Sequence, residues 1–461
     1  MVVLNMKIQT ILNALLVVCL TIAPIGALAD QTEECGSTSS ANGVLVYDLK
    51  SAIKRGLDAS PDIKAYESEL EASYSESKEV RAALLPQVFL SASKSHIGNS
   101  GQSERDADYL TQDSTTTRVG VEQKLFDAPA YFRFKAAGLR SEYSQISLDK
   151  RRMDIVLSIQ ENFFLYFKAK EDASSYAKSI ERLEKHLESA KAFYARQLAP
   201  KISVLQAQSE LAKAKQLFSA AQNDILIQKT RLAHLLDLPN HEDVDFEGNL
   251  RDFMEPMLYS LPELLNRGIS NRPDIHLAQK EVAIYNQDAN AAGAEMLPVV
   301  SVSAQKIMND IDYENSQLSD VSREYYSTGL NMNINLFEGG RTYYKVQKTK
   351  HRKQRALLQL QSTQQAAQSS IRENYLNLQE ARRQIDLSNV YIEEADETYQ
   401  RAQKGYELGV NTSTDLVDAA SELVNAEVML NRSLADYHIS RARLIHSIGD
   451  MTQLVDLASV H

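Results

Sequence analysis

Two carboxylates, Asp415 and Asp418, stand three residues apart just after Gly409-Val410-Asn411, in the stretch "YELGVNTSTDLVDAASEL" (406–423). Acids at that spacing share one face of a helix. Carboxylates crowded into a narrow place raise one another's pKa and attract cations. A plainer reading competes: acids in the first turn of a helix are favoured by the positive end of its dipole. Both readings need a helix that stops at Gly409 and Asn411 and restarts before Asp415. Little other chemistry is on offer. There is no Walker loop, no HExxH and no Cys-pair zinc spacing, and the nine His are scattered. His234 and His446 each lie near a helix end, where capping of carbonyls is expected rather than metal binding. "NTS" at 411–413 fits a glycosylation sequon but reads better as turn chemistry. No enzyme, cofactor or metal is expected.

The elements that must carry this pair begin after an export signal. Residues 1–29 hold one Lys, an apolar run from Ile11 to Ile22, and Ala27-Leu28-Ala29 before Asp30. That is a secretory signal with a small-x-small cleavage site; the run is short and broken by Pro24, which disfavours a membrane anchor. Cys19 follows Val17-Val18, not the small residue a lipid-attachment signal wants. Cys35 is then the only mature cysteine, so no intrachain disulfide forms. Removing Lys7 from 50 bases leaves 49 against 61 acids, a net of −12, which argues against a nucleic-acid partner. No later segment approaches eighteen consecutive apolar residues, so the chain is exported and soluble, or inserted by strands.

The chain repeats itself. "SPDIKAYESEL" (60–70) returns as "RPDIHLAQKEV" (272–282), and "LLPQVFLSAS" (84–93) as "MLPVVSVSAQ" (296–305). Pro61 and Pro273 are 212 apart, as are Pro86 and Pro298. "ENFF" at 161 and "ENYL" at 373 keep the offset, as do "RLAH" at 231 and "RLIH" at 443. A constant offset along nearly the whole chain is a tandem duplication. The expected organisation is signal 1–29, first repeat 30–238, acidic linker 239–258, second repeat 259–449 and tail 450–461. Each copy is predicted as a helix (about 47–84; 259–296), two strands and a very long helical stretch. From Arg341 to Lys404 there is no Gly and no Pro, 64 residues that would reach roughly 95 Å as one helix. Ile371, Leu378, Ile385, Ile392, Tyr399 and Tyr406 recur by sevens, with Asn374, Ala381, Ser388, Ala395 and Ala402 on a second track. Strict heptads mean coiled-coil packing. The thin apolar track suits a wall of helices wet on one face better than a solid bundle. An ordinary filamentous coiled coil is the alternative.

The strands separate these. Leu330, Met332, Ile334 and Leu336 alternate with Asn331, Asn333 and Asn335, and Val119, Val121 and Leu125 with Gly120, Glu122 and Lys124. Val88, Leu90 and Ala92, and Val300, Val302 and Ala304, alternate with Phe89, Ser91, Ser93, Ser301, Ser303 and Gln305. Segments of roughly ten residues with one apolar face suit a transmembrane β-barrel. A soluble sheet is the alternative, but no other segment offers it a core. The polar stretches 96–114 and 308–324 are expected as extracellular loops. With no Trp, an interfacial belt would use Phe126, Phe337 and Tyr325-Tyr326. Four strands cannot close a barrel and an open edge in lipid is not tolerable; three chains with four strands each would give twelve.

"SPDIKAYESELEAS", "RAALLPQVFLSAS", "NRPDIHLAQKEV", "NLFEGGR" and "GYELGVNTSTDLVDA" resemble the TolC family of bacterial outer-membrane efflux proteins, over nearly all of the mature chain. The resemblance implies a fold mainly α with membrane β. In it, tandem helix-strand-strand-helix protomers form a trimeric twelve-stranded β-barrel continued by a long α-helical coiled-coil periplasmic tunnel. The linker and tail would join an equatorial belt. It implies an exit channel in the outer membrane of a Gram-negative cell, reaching into the periplasm. A homotrimer would work with a periplasmic membrane-fusion adaptor and an inner-membrane transporter, ABC or proton-driven. The missing lipid site tilts the reading toward type I secretion and general efflux. A periplasmic coiled-coil adaptor without a channel is the alternative.

By the same resemblance, 406–418 is the periplasmic entrance, and Asp415 and Asp418 match acids that ring its constriction. Their first-copy equivalents, Ser203 and Gln206, are uncharged. The family's Arg–Asp lock falls on Asn411 and Ser203, which cannot pair as ions. Tyr406 matches a lock Tyr and remains available for a hydrogen bond. Lys201 is a substitute partner for Asp415, and Pro200, equivalent to Thr412, should stiffen the first-copy turn. Hydrogen bonds and packing should then hold the closed entrance more than ion pairs do.

Overall fold

Pro61 and Pro273 each start a helix. The computed structural model describes residues 38–39, 45–98, 112–239, 244–251, 260–313 and 319–450. The elements below lie in the unit from Ser39 to His461. The expected signal 1–29, Cys35 and the tail beyond 450 fall outside the described residues. The single first helix expected in each copy is two: α1 (Leu49–Ala59) and α2 (Pro61–Ala82), matched later by α5 (Leu261–Asn271) and α6 (Pro273–Ala294). The residue before each proline is pushed out of the helical region, with ψ of 121° at Ser60 and 124° at Arg272. The proline then takes the first helical position, where no N–H is missed.

In chain order the remaining elements are β1 (Leu45–Tyr47), β2 (Gln87–Ile97), β3 (Gln112–Phe126), α3 (Ala128–Ala195), α4 (Lys201–Leu235) and β4 (Val244–Phe246). The second copy continues with β5 (Val299–Tyr313), β6 (Val321–Asn333), α7 (Arg341–Glu407) and α8 (Ser413–Ile448). α3 has 68 residues, about 100 Å of helix. On α7 the seven-residue track is buried at Ile371, Leu378 and Ile385, and its companion at Ala381, Ser388, Ala395 and Ala402.

The expected linker is more than a spacer. β4 lies within it and pairs in parallel with β1, Leu45 opposite Val244. Phe246 and Leu250 enter a core built on the middle of α3, where Phe163 packs 4.9 Å from Phe167 and 6.2 Å from Phe246 between ring centroids. His438 of α8 donates from Nε2 to the Leu250 carbonyl at 2.7 Å, and burial holds its imidazole down at about 4, so it stays neutral. His446 is not a carbonyl cap through its ring: its Nε2 meets Asp154 Oδ1 at 2.8 Å.

β2, β3, β5 and β6 form one antiparallel sheet in the order β2-β3-β5-β6. The duplication is joined at its centre, β3 against β5. The registers place Val88 beside Val121 and Ala304, Leu90 beside Val119, Val302 beside Leu330, and Val300 beside Met332 on one face. Gln87, Glu122 and Ser303, with Phe89, Gly120 and Gln305, form the other. On the apolar face Val88, Leu90, Leu330 and Met332 are 61–77% exposed in the single chain.

Three expectations about this sheet are corrected. The strands run further than their apolar residues, to Ile97 and Tyr313 and from Gln112 and Val321. Polar residues expected as loop therefore lie on strands: Ser114 Oγ donates to Asn309 Oδ1 at 3.2 Å across the sheet. β6 stops at Asn333, so Ile334 and Leu336 lie beyond it. There the Glu338 carboxylate collects Asn335, Arg341 and Thr342 in the turn into α7. Tyr325 sits on the polar face, opposite Ile307, and only Tyr326 of that pair joins the apolar one.

Gly120 permits the close approach of β5. A Cβ there would stand 2.8 Å from both Gln305 Cβ and Phe89 Cζ. Gly120→Val is expected to destabilise the folded chain by about 1–3 kcal/mol, as overpacking does. A lowered midpoint of heat-induced loss of β signal in detergent checks this, with Gly329→Val, whose neighbours are 3.7 Å away, as the milder comparison.

Candidate functional site

Both long helices end in the same reversal. In the first copy Gln197 takes a left-handed φ of 59°, and in the second Gly409 takes 75°; 197 plus 212 is 409. Gln197 N donates to Tyr194 O at 2.9 Å and Leu198 N to Phe193 O at 2.9 Å. Gly409 N donates to Tyr406 O at 3.1 Å and Val410 N to Gly405 O at 2.8 Å. Those paired bonds close a helix end through one left-handed residue. Glycine holds that conformation without strain, whereas Gln197 does so against its Cβ.

The restarts differ. Pro200 and Thr412 occupy equivalent N-caps, but Pro200 offers no side-chain cap. Thr412 opens a capping box: its hydroxyl accepts from Asp415 N at 3.2 Å, and Asp415 Oδ2 accepts from Thr412 N at 2.8 Å. The Thr412 amide and hydroxyl hold the Asp415 carboxyl below its ordinary value, so it is charged at neutral pH. Asp418 is exposed one turn on, and Ser203 and Gln206 sit at the matching places of α4, half-buried and exposed. Asp415 stands in the first turn of α8, as the plainer reading of the acidic pair expects, and is an exposed anion. The substitute pairing does not form in the chain: Asp415 is taken up by Thr412, and no ion pair joins it to the exposed Lys201 among the described residues. Asn411 instead tucks against Gly405, where a Cβ would meet its side chain at 2.7 Å.

Tyr406 is buried, not held by a hydrogen bond. Its ring packs 5.4 Å from Phe193 and edge-on 4.9 Å from His186, and its hydroxyl has no partner among the described residues. His186 was not among the sequence candidates. It lies on the apolar stripe of α3 between Leu183 and Ala190, and its Nε2 meets Ser413 Oγ at 3.0 Å. Nearby, Arg182 Nη1 donates to Glu427 Oε1 at 3.2 Å, both side chains less than one-fifth exposed. Arg182 also lies over the Tyr399 ring, 5.5 Å from its centroid. These contacts tie α3 of the first copy to α7 and α8 of the second around a cavity of about 190 Å³. Hydrogen bonding, packing and the Arg182–Glu427 ion pair thus join the two copies here. A buried histidine on an apolar stripe was a usable signal in the sequence. The repeat hid it, because position 398, its equivalent, is Thr.

The family model described as outer membrane efflux protein matches residues 52–237 and 264–450. The chain is 20% identical to the outer membrane protein TolC of Salmonella enteritidis over 406 residues, 86% of this chain and 80% of that one. It is 19% identical over 399 residues to the alkaline protease secretion protein AprF of Pseudomonas aeruginosa, covering 84% and 81%. Its fold is similar to the crystal structure of the outer membrane protein VceC of Vibrio cholerae, with a TM-score of 0.75 at 20% identity, over 87% and 96% of the two chains.

Proposed function

The chain belongs to the outer membrane efflux protein family, and from that membership we propose that three copies close one twelve-stranded barrel over a common periplasmic tunnel. The protein is an outer-membrane exit channel for efflux or secretion. The observation that carries the trimer is the sheet itself: four strands, with β2 and β6 as unpaired edges and one face of exposed Val, Leu and Met. An edge in lipid leaves backbone groups without partners, so closure must come from other copies.

In this reading the duplication runs as first repeat 30–238, linker 239–258, second repeat 259–449 and tail 450–461. The linker strand β4 and its core contacts belong to a belt around the middle of the tunnel. The α3–α4 and α7–α8 reversals are its periplasmic mouth, with Asp415 and Asp418 of each copy facing the three-fold axis. A periplasmic adaptor and an inner-membrane transporter would dock there. The relative named for alkaline protease secretion favours protein cargo through a type I system, alongside small toxic compounds.

The test is outer-membrane fractionation followed by conductance of the purified protein in planar bilayers. Cross-linking between cysteines placed on the β2 and β6 edges, in a Cys35→Ser background, is expected to yield a covalent trimer. A soluble monomer without conductance would overturn the reading.

A further inference from the structure

Where the two repeats meet near the reversals, the contacts are polar and only partly satisfied. His186 and Tyr406 are 5% and 6% exposed, yet among the described residues His186 Nδ1 and the Tyr406 hydroxyl have no partner. Ser413, also buried, begins α8 directly after the Gly409 reversal, and its hydroxyl contacts His186 Nε2. One hydrogen bond thus links the restart of the second hairpin to the first hairpin's long helix. We infer that His186 is a positioning residue of the periplasmic mouth: neutral and bonded to Ser413, it seats the α7–α8 hairpin against α3, and taking up a proton there releases that hairpin. The inference rests on the channel reading.

Geometry gives the release its direction. The imidazole shares its cavity with Arg182 and Lys185 from α3, with Tyr399, Tyr406 and Glu407 from α7, and with the start of α8. Arg182 is committed to Glu427 and Lys185 to Glu181. Among the described residues Glu407 is the one carboxylate lining the cavity, and it accepts from Gln403. A proton on His186 therefore adds charge to a buried site, one turn from a cationic guanidinium, with no carboxylate bonded to it. Burial accordingly pushes the imidazole below its ordinary value of 6.5. The sign follows: a packed state that binds its proton less readily than the open one is favoured above pH 6.5 and weakens as pH falls below it. Position 398, the repeat equivalent of His186, is Thr, so only the first copy carries this device.

The experiment compares full-length wild type with His186→Gln and Ser413→Ala in planar bilayers at about pH 7.5 and about pH 5.5, the range a histidine spans. Wild type is expected to open about fivefold more often at the lower pH, the scale of one lost hydrogen bond. His186→Gln keeps a polar partner for Ser413 but cannot charge, and should show little pH response. Ser413→Ala should open more often already at the higher pH. Equal pH profiles for wild type and His186→Gln would overturn the inference and assign the response to Asp415 and Asp418. If wild type does not conduct, the channel reading fails. The His186–Ser413 contact is then judged by amide exchange at Leu416–Ala420. That exchange must speed up in wild type relative to His186→Gln only at the lower pH, and an equal ratio at both would overturn it.

Discussion

Asp415→Asn combined with Asp418→Asn is expected to raise the concentration of a trivalent cation needed for half-block of the reconstituted channel by at least about tenfold. A unit-charge pair at 4 Å is worth about 1 kcal/mol even in bulk water, and about 1.4 kcal/mol is a factor of ten. In the proposed trimer six carboxylates would approach one axis, so several such pairs would vanish together. The structure decides which substitution to use. Asp415 supplies half of the capping box with Thr412, and Ala there would remove a cap worth about 0.5–2 kcal/mol along with the charge. Asn keeps an oxygen for the Thr412 amide and removes the charge alone. Unchanged half-block would remove both acids from the constriction. The pH dependence adds a second reading. Within one chain Thr412 holds Asp415 below its ordinary value of 3.8, so an isolated carboxylate keeps its charge at least down to that pH. Mutual repulsion in a ring acts in the opposite sense. Block that fades well above 3.8 on acidification therefore reports carboxylates close together, whereas block that persists below it reports carboxylates far apart.

The duplication makes much of this legible in the sequence. A residue 212 positions away carries the same conformational duty: Gln197 and Gly409 are both left-handed, as are Asp237 and Gly449, with φ of 52° and 80°. Alternation likewise predicted which residues share a face of the sheet, because a strand's period of two admits no compromise. What escaped has physical causes. Strand lengths were underestimated because Ser, Thr and Asn in the outer halves pair through the backbone ladder and through one another, and polarity alone does not separate them from loop. The break at Pro61 was missed because the sequence between Tyr47 and Leu84 is helical on both sides of it. His186, Arg182 and Glu427 were missed for a different reason. They act between the copies, where the repeat relation does not apply, since 186 pairs with 413 and not with its own equivalent. The acidic pair could be located from sequence, but its coupling to Thr412 depends on which oxygen faces the amide, which spacing does not reveal.

A single arginine on the apolar face of the sheet should prevent stable insertion, and the same change one residue away should not. Leu330 and Asn331 are neighbours on β6, but the register sets Leu330 beside Val302 and Asn331 beside Ser301, on opposite faces. Leu330 is 71% exposed in the single chain. An apolar side chain left that bare requires lipid, another copy or aggregation. Above it on the same face stand Lys306, ion-paired with Glu324 at 3.0 Å, and Tyr326, 81% exposed. Below it stand Val300 and Met332. From Val300 to Lys306 is about 20 Å along the strand, an apolar band bounded by a charged pair and a tyrosine at the outer end. Leu330 lies inside the band. Arg at the middle of a lipid-facing strand costs about 2–4 kcal/mol in each chain, and in a trimer the penalty is incurred three times. Leu330→Arg is therefore expected to abolish the proposed trimer and to leave the chain in the periplasm or degraded. Asn331→Arg lies on the polar face among Ser303 and Lys124, the lumen side in the proposed barrel, and should assemble normally while shifting the channel toward anion selectivity. Fractionation, gel mobility with and without heating, and reversal potentials in a salt gradient measure each effect. If both variants insert equally well, the sheet's apolar face is not turned to lipid, and a soluble sheet buried against another surface becomes the better description.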